Sequence, residues 1–156
     1  MKDMKSCCFT GHRIIKADDK PDIFERTIAV IRELYERGIT NFICGGALGF
    51  DMVAADAVIY LREYQLRDIT LELVLPCRDQ DMKWKNYERK KYAEILKQAD
   101  KITYIAEKYS PECMVRRNRL MVDKSIHCVA YIYKNFGGAA STVRYANDSD
   151  KQLTLI

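Results

Sequence analysis

The 156-residue sequence lacks the patterns that mark several common classes of protein. Its six cysteines form no CxxC pair, so neither a zinc site nor a thioredoxin-like motif is indicated, and no metal site is predicted. No apolar run approaches the roughly 20 residues that span a bilayer. The N-terminal segment shows no signal-peptide pattern. We therefore expect one domain over residues 1–156, located in the cytoplasm and without membrane contact.

Two familiar nucleotide-binding fingerprints are also missing. The sequence has no GxxxxGK[ST] motif, so a P-loop ATPase is not indicated. The glycine-rich stretch GGALGFD at residues 45–51 lacks the GxGxxG spacing and follows the second predicted strand instead of the first. The net charge of +4 is too small by itself to indicate a nucleic-acid-binding protein, and we do not expect a nucleic-acid partner.

The cysteines themselves are predicted to be mostly structural. Cys7, Cys8, Cys44 and Cys128 lie in apolar, strand-like runs, where cysteine behaves as a small buried hydrophobe. Cys77 lies in the loop-like segment LPCRDQ and is the one candidate for a reactive thiol.

Apolar patterning predicts strands that alternate with helices along the whole chain. Strands are predicted at residues 5–9, 40–44, 70–75, 101–105, 127–133 and 152–156, the third being ended by Pro76. Helices are predicted at 21–38, 48–64, 111–125 and 137–148. Another helix is predicted between the third and fourth strands, carrying Trp84, Tyr87, Tyr92, Ile95 and Leu96. This alternation predicts an α/β fold, an open, mainly parallel, doubly wound sheet flanked by helices. Ligands of such sheets bind beyond the carboxyl ends of the strands.

Three loops at that edge have unusual compositions. They are residues 10–13 (TGHR), 44–51 (CGGALGFD) and 136–142 (FGGAAST). Glycines allow a ligand to approach the backbone, and the first amides of a helix favour anions, so the three loops together predict a nucleotide-like ligand. The alternative is that the glycines only form tight turns. Arg13 is a candidate phosphate ligand or a solvated surface residue, and His12 is a weaker candidate for acid–base chemistry.

Two further positions have a functional and a structural interpretation. Asn118 is predicted within an apolar helix stripe formed by Met114, Val115, Met121 and Val122, where its amide binds either a ligand or a nearby backbone carbonyl. Arg116, Arg117 and Arg119 are predicted away from the centre of this stripe, with Arg117 nearest to it. Trp84 either stacks on a base or packs in the core with Tyr87 and Tyr92.

The ordered set TGHR, GGALGFD, LP…Q…W…Y, RN..MVD and GG…ST…YA resembles the YpsA-like family of the SLOG superfamily. That superfamily also contains DNA-processing protein A and the lonely-guy cytokinin-activating enzymes. The resemblance runs from about Phe9 to Ala146. It implies a Rossmann-like fold, a nucleotide or ADP-ribose-like ligand, and a regulatory or sensor role in bacterial stress or cell-division control.

The resemblance and the loop compositions together give one set of candidate ligand-binding residues. They are Thr10, Gly11, His12, Arg13, Gly45, Gly46, Gly49, Asp51, Gln80, Trp84, Arg117, Asn118, Gly137, Gly138, Ser141 and Thr142. Within this set, Asp51 is expected to bind ribose hydroxyls or to cap its own loop. Phosphate is assigned to Arg13 or to the Gly137–Gly138 turn.

One departure bears on catalysis. The phosphoribohydrolase relatives carry a PGGxGTxxE motif with a catalytic glutamate, whereas this sequence reads NFGGAASTVRYA and places Arg144 or Tyr145 near the glutamate position. Asp51 is then the one loop carboxylate that could assist cleavage of a glycosidic bond. Three functions stay open at this point: a ligand-binding regulator, an N-glycosidase acting on nucleoside monophosphates, and a single-stranded nucleic-acid binder. The apolar helix faces also allow a homodimer.

Overall fold

The computed structural model describes residues 4–156, which form six strands and five helices in strict alternation. The strands are β1 (Ser6–Gly11), β2 (Asn41–Cys44), β3 (Thr70–Cys77), β4 (Lys101–Ala106), β5 (His127–Tyr131) and β6 (Gln152–Leu155). The helices are α1 (Ile23–Glu36), α2 (Phe50–Tyr64), α3 (Asn86–Gln98), α4 (Pro111–Asp123) and α5 (Gly138–Asp148). Within this part of the chain, no helix is both long and apolar enough to cross a membrane.

All six strands lie parallel in one sheet, in the order β4-β3-β2-β1-β5-β6. The chain winds outward from β1 to β4 and then returns to place β5 on the other side of β1. The winding therefore reverses beside β1, and the crevice at that switch point is where such folds bind ligands. The predicted Rossmann-like, doubly wound parallel sheet is confirmed.

Helices cover both faces of the sheet, because the strand side chains alternate between two cores. Cys7 and Phe9 of β1 belong to the larger core, which also contains the buried side chains of α1, α2 and α3. Cys8 of β1 points into the smaller core, together with Met121 of α4 and Ala146 of α5. The loops that leave the neighbouring strands β1 and β5 thus run to opposite faces and open a space above β1.

Three sequence expectations are corrected by the structure. Strand β3 does not stop at Pro76 but continues to Cys77. Proline has no N–H to donate to a neighbouring strand, but β2 ends opposite Leu73, so no strand on that side of β3 needs a donor from Pro76. Helix α3 begins at Asn86, so Trp84 lies in the preceding turn. Strand β5 ends at Tyr131 instead of residue 133.

Cys77 is also not a loop thiol. Its side chain is fully buried at the end of β3, and burial raises its pKa to about 12. The other five cysteines are buried as well, so nothing in the structure sets Cys77 apart as a candidate for a reactive thiol.

Candidate functional site

A cavity of about 450 Å³ opens at the carboxyl end of the sheet, above the switch point. Its walls come from the end of β1 and the loop that follows, the turn between β2 and α2, the segment after β3, one side of α4, and the first turn of α5. Eleven predicted site residues line it: Thr10, Gly11, His12, Arg13, Asp51, Gln80, Trp84, Arg117, Asn118, Gly138 and Thr142. The structure therefore brings together residues from five separate segments of the sequence.

Glycine at position 49 allows the first two loops to meet backbone to backbone. Gly49 has a φ of 86°, and a Cβ placed on it would lie 2.1 Å from the carbonyl oxygen of Arg13. Next to it, the amide of Phe50 donates to the carbonyl of His12 at 3.2 Å. The start of α2 is thereby fixed against residues 12 and 13, and any side chain at position 49 would separate them.

Asp51 lies in the first turn of α2 with only 6% of its surface exposed. Its Oδ2 accepts a hydrogen bond from the amide of Ala47 at 3.2 Å, so the predicted role as a cap on its own loop is present in the geometry. Burial raises the pKa of this carboxyl to about 6, against the opposing effects of Arg117 and the Ala47 amide. Asp51 also lines the cavity, and within residues 4–156 its second oxygen, Oδ1, has no hydrogen-bond partner.

Arg117 is the most deeply buried cation of the site, at 4% exposure. Its Nη1 donates to the carbonyl oxygen of Gly45 at 2.5 Å, and its Nε donates to Oδ1 of Asn118 at 2.7 Å. Burial lowers the pKa of the guanidinium, while the carboxylate of Asp51 opposes that effect. The side chain crosses from α4 to the β2–α2 turn and holds it in place.

The apolar stripe predicted for α4 is rotated in the structure. The buried face consists of Cys113, Arg117, Met121 and Val122, whereas Val115 is 50% exposed. The expectation that Arg117 lies away from the centre of the buried face is therefore wrong. A long side chain on a helix can bury its charge when a backbone carbonyl receives it, and hydrophobic periodicity cannot register that possibility.

Asn118 lies at the cavity wall between α4 and α5. Arg117 fixes its amide oxygen, and its Nδ2 lies 4.0 Å from the point where a Cβ of Gly138 would stand. The amide nitrogen thus faces the first turn of α5, next to the free backbone donors of that helix.

Gln80 and Trp84 close the side of the cavity nearest β3. Gln80 Nε2 donates to the carbonyl of Gly46 at 3.3 Å and contacts the hydroxyl of Tyr92 at 3.1 Å. The Trp84 ring packs edge-on against Tyr92 with centroids 5.2 Å apart, and Tyr87 is 69% exposed. Trp84 and Tyr92 therefore pack together as the core interpretation predicts, whereas Tyr87 does not join them. Trp84 nevertheless lies at the cavity wall.

His12 is held from two sides. Its Nε2 accepts a hydrogen bond from the amide of Lys134 at 3.2 Å, and its ring packs against Tyr133 with centroids 4.5 Å apart. Partial burial lowers the pKa of the imidazole, and the neighbouring Lys134 lowers it further. The ring is thereby positioned as a neutral group that joins the β1 and β5 loops.

Five predicted residues do not line the cavity. Gly45 lies behind it, where a Cβ would meet Arg117 at 2.7 Å and Asp51 at 2.9 Å, and Gly46 packs under Leu75. Gly49 contacts Arg13, whereas a Cβ added to Gly137 would meet nothing within 4 Å. Ser141 is exposed in a neighbouring depression of about 290 Å³. Thr142 reaches the cavity, but its hydroxyl donates to the carbonyl of Gly138 at 2.8 Å.

Sequence reasoning missed several residues of the wall. They are Cys8, Phe9, Ala47, Leu48, Tyr109, Met114, Val115, Met121 and Ala139. Tyr109 has a usable signal, because it follows β4 and so belongs to the same edge of the sheet as the three glycine loops. The others are apolar or small residues whose exposure to the cavity depends on how the strands are ordered.

Comparison with known protein families gives a match over nearly the whole chain. The model of the family described as the YspA SLOG family matches residues 9–154. A UPF0398 protein of Oceanobacillus iheyensis is 29% identical over 149 residues, which cover 87% of this chain and 78% of that protein. The UPF0398 protein YpsA of Bacillus subtilis is 29% identical over 135 residues, covering 78% of this chain and 72% of that protein.

Two solved structures share the fold. DNA processing protein A from Helicobacter pylori, for which a single-stranded DNA binding mode is described, has a TM-score of 0.70 at 23% identity. DNA processing protein A from Streptococcus pneumoniae has a TM-score of 0.57 at 10% identity. Each match covers 97% of this chain but only 64% and 58% of the respective solved chains, so the chain corresponds to a part of each neighbour.

Proposed function

The chain belongs to the YspA SLOG family, and from this premise we propose that it binds a nucleotide or nucleotide-derived ligand in the cavity above β1, as a regulatory or sensor protein of bacterial stress or cell-division control. The cavity volume of about 450 Å³ falls in the range that small-molecule sites occupy. Its place at the switch point of a parallel sheet is the place where this fold class binds ligands.

The observation that carries the proposal is a pair of buried, oppositely charged side chains that line the same cavity. Asp51 and Arg117 are 6% and 4% exposed, yet within residues 4–156 neither Oδ1 of Asp51 nor Nη2 of Arg117 has a hydrogen-bond partner. Among residues 4–156, the one buried side-chain polar atom without a partner is Nε of Arg26, so Oδ1 and Nη2 each keep some surface that solvent can reach. A polar ligand entering the cavity can therefore bond to both atoms.

The donor and acceptor types around the cavity suit the parts of a nucleotide. The carboxylate of Asp51 accepts hydrogen bonds and fits ribose hydroxyls, while the exposed guanidinium of Arg13 fits phosphate. The backbone amides at the start of α5 offer a second phosphate position. Trp84 presents an aromatic surface for a base.

The proposal is tested by titrating the purified protein with AMP, ADP and ADP-ribose in a calorimeter, alongside thermal unfolding. We expect at least one nucleotide to bind and to raise the unfolding midpoint. Asp51→Asn is expected to weaken ribose-containing ligands while inorganic phosphate is little affected. Glu63→Gln, which removes an exposed carboxylate from the same helix, is the matched control. It should change neither the affinity for ribose-containing ligands nor the affinity for inorganic phosphate. Absence of binding by every nucleotide would overturn the proposal.

An N-glycosidase is a second candidate because of the environment of Asp51. A buried carboxyl with a pKa of about 6 can exchange a proton near neutral pH, as a group assisting glycosidic cleavage must. Chromatography of AMP incubated with the protein separates the two functions. Free adenine that disappears with Asp51→Asn supports the hydrolase, and binding without adenine release supports the regulator.

Single-stranded DNA is a third candidate, favoured by the fold shared with the Helicobacter pylori protein. The modest net charge of +4 argues against it, since such binding depends on many phosphate contacts. Fluorescence anisotropy with a labelled oligonucleotide at two salt concentrations decides the matter. Tight binding with a steep salt dependence would support this candidate and correct the expectation that nucleic acid is not a partner.

A further inference from the structure

A second depression, of about 440 Å³, lies directly beside the cavity. The two spaces share two wall residues, Arg13 and Leu48. They are therefore neighbouring compartments separated by the loop after β1 and the turn before α2.

The shared wall carries an uncompensated positive charge. Arg13 is exposed, and within residues 4–156 no carboxylate lies at ion-pair distance from its guanidinium. Its backbone is nevertheless fixed, because Gly49 packs against the carbonyl of Arg13 and the amide of Phe50 donates to the carbonyl of His12. Arg13 thus places an unpaired guanidinium on a fixed backbone at the junction of the two compartments. Such a group is suited to bind a phosphate that links a ligand part in one compartment to a part in the other.

The second compartment has aromatic and apolar walls. Tyr87 is 69% exposed and Ile14 is 68% exposed, and both border it together with Met52. Lys85 Nζ lies 6.0 Å from the centre of the Tyr87 ring and adds a cation beside this surface. An exposed tyrosine ring with a neighbouring cation is a typical surface for stacking a base next to its phosphate.

The compartment holds two further charged side chains. Lys91 forms an ion pair with Asp56 at 2.6 Å. Glu88 accepts a hydrogen bond from the neutral amide of Lys85 at 2.9 Å and keeps its negative charge. Arg13 and Lys85 are thus the cations left for a ligand phosphate.

The depression on the opposite side of the cavity offers less. It measures about 290 Å³, and its aromatic ring, Tyr145, is partly buried, whereas Tyr87 is exposed. Arg144 donates to the carbonyl of Asn135 at 3.0 Å, and Asp148 adds a negative charge. A ligand extending from the central cavity is therefore directed toward Arg13 and Tyr87.

We propose that the two compartments bind one ligand made of two nucleoside units joined through phosphate, with the linking phosphate on Arg13 and the second base on Tyr87. This inference rests on the proposed nucleotide-binding function and names its ligand class. The first nucleoside occupies the cavity of Asp51 and Arg117, and the second lies over the start of α3.

The test compares one-unit and two-unit probes by calorimetry: AMP against diadenosine diphosphate and against the 5′-phosphorylated dinucleotide pApA. At least one two-unit probe should bind tenfold or more tightly than AMP. The probe with the larger gain in affinity over AMP identifies the linkage between the two nucleoside units as pyrophosphate or phosphodiester.

Variants locate the second unit. Tyr87→Ala should weaken the two-unit probe about fivefold or more, as loss of one stacked base does, and leave AMP unchanged. Tyr87→Phe keeps the ring and should bind as the natural protein does. Tyr64→Ala removes an equally exposed tyrosine at the end of α2 and serves as the matched control. Arg13→Gln should weaken the two-unit probes more than AMP.

The outcomes separate the two proposals. If AMP binds but two-unit probes gain nothing, or if Tyr87→Ala has no effect, the two-unit ligand is overturned while the nucleotide site stands. If no probe binds, both proposals fail. Affinity that keeps rising with oligonucleotide length beyond two units would overturn the two-unit ligand in favour of single-stranded DNA.

Discussion

Arg117 of α4 donates a hydrogen bond from Nη1 to the carbonyl oxygen of Gly45, 72 residues earlier in the chain, and so joins α4 to the turn after β2. Asp51 holds the same turn from its other end, through the amide of Ala47. Two buried charged groups thus shape one short backbone segment at the floor of the cavity. Stability and binding at this site should therefore change together.

Replacing Arg117 tests this coupling. Arg117→Met removes the donor to Gly45 and leaves Asp51 without its nearby buried cation, so we expect a loss of about 3 kcal/mol in the free energy of unfolding. Ligand binding should be lost as well. Urea unfolding and calorimetry measure the two effects. The neighbouring exposed residue gives the control, and Arg116→Met should stay within about 0.5 kcal/mol. Equal effects of both substitutions would contradict the buried role of Arg117.

The carboxyl of Asp51 predicts a pH dependence with a definite sign. Burial raises its pKa from an ordinary value of 3.8 to about 6, so the folded protein binds this proton more tightly than the unfolded chain. The resulting stability is fully present below about pH 4 and is lost as the pH rises through 6.

Asp51→Asn cannot titrate and provides the reference. The free energy of unfolding of the natural protein should fall relative to the variant by up to about 3 kcal/mol between pH 4 and pH 7. Urea unfolding at several pH values measures the difference. Parallel pH profiles for the two proteins would show that Asp51 does not titrate in this range.

Two glycines with similar φ angles give a matched comparison. Gly49→Ala puts a Cβ 2.1 Å from the carbonyl oxygen of Arg13, whereas Gly38→Ala at a φ of 91° meets nothing within 4 Å. Gly38→Ala should lower the free energy of unfolding by about 1 kcal/mol, through the strain of a left-handed backbone alone. Gly49→Ala should lower it by clearly more and should also weaken ligand binding, because it separates the β1 loop from α2. Thermal unfolding of both variants tests the prediction, and similar losses would refute a close contact at position 49.

The buried cysteines predict low thiol reactivity. All six are buried, and burial raises the pKa of Cys77 to about 12, so the thiolate that reacts with alkylating reagents is scarce. Brief treatment of the folded protein with iodoacetamide should leave the chain unmodified by mass spectrometry. The urea-unfolded protein should gain six adducts, one for each cysteine in the sequence. Rapid labelling of Cys77 in the folded protein would contradict its position in β3.

The sequence predicts the fold well because each strand and helix carries its own signal. Alternating apolar segments predict the parallel sheet, and the carboxyl-end rule then collects Arg13, Asp51 and Gly138 at one edge without knowledge of strand order. The position of Pro76 is harder to predict, because its place in the ladder depends on where β2 ends, which is a property of the pairing and not of the local sequence.

The candidate site is harder to predict where tertiary contacts override local patterns. Arg117 looks like a surface residue from the periodicity of α4, and only the carbonyl of Gly45 explains its burial. Tyr87 follows helical spacing into an expected core, yet it faces outward beside Arg13. Both residues are placed by neighbours that are distant in the sequence.

If the cavity above β1 is the nucleotide site, a side chain large enough to fill it should prevent nucleotide binding. Ala139 lines the cavity at the start of α5 and is only partly buried, so Ala139→Trp should fill the space without disturbing the core. Calorimetric titration with a nucleotide that the natural protein binds, chosen from AMP, ADP and ADP-ribose, is predicted to show at least a tenfold loss of affinity in Ala139→Trp. The unfolding midpoint without ligand should be comparable in the two proteins. Equal nucleotide affinity in the two proteins would show that the nucleotide binds outside this cavity.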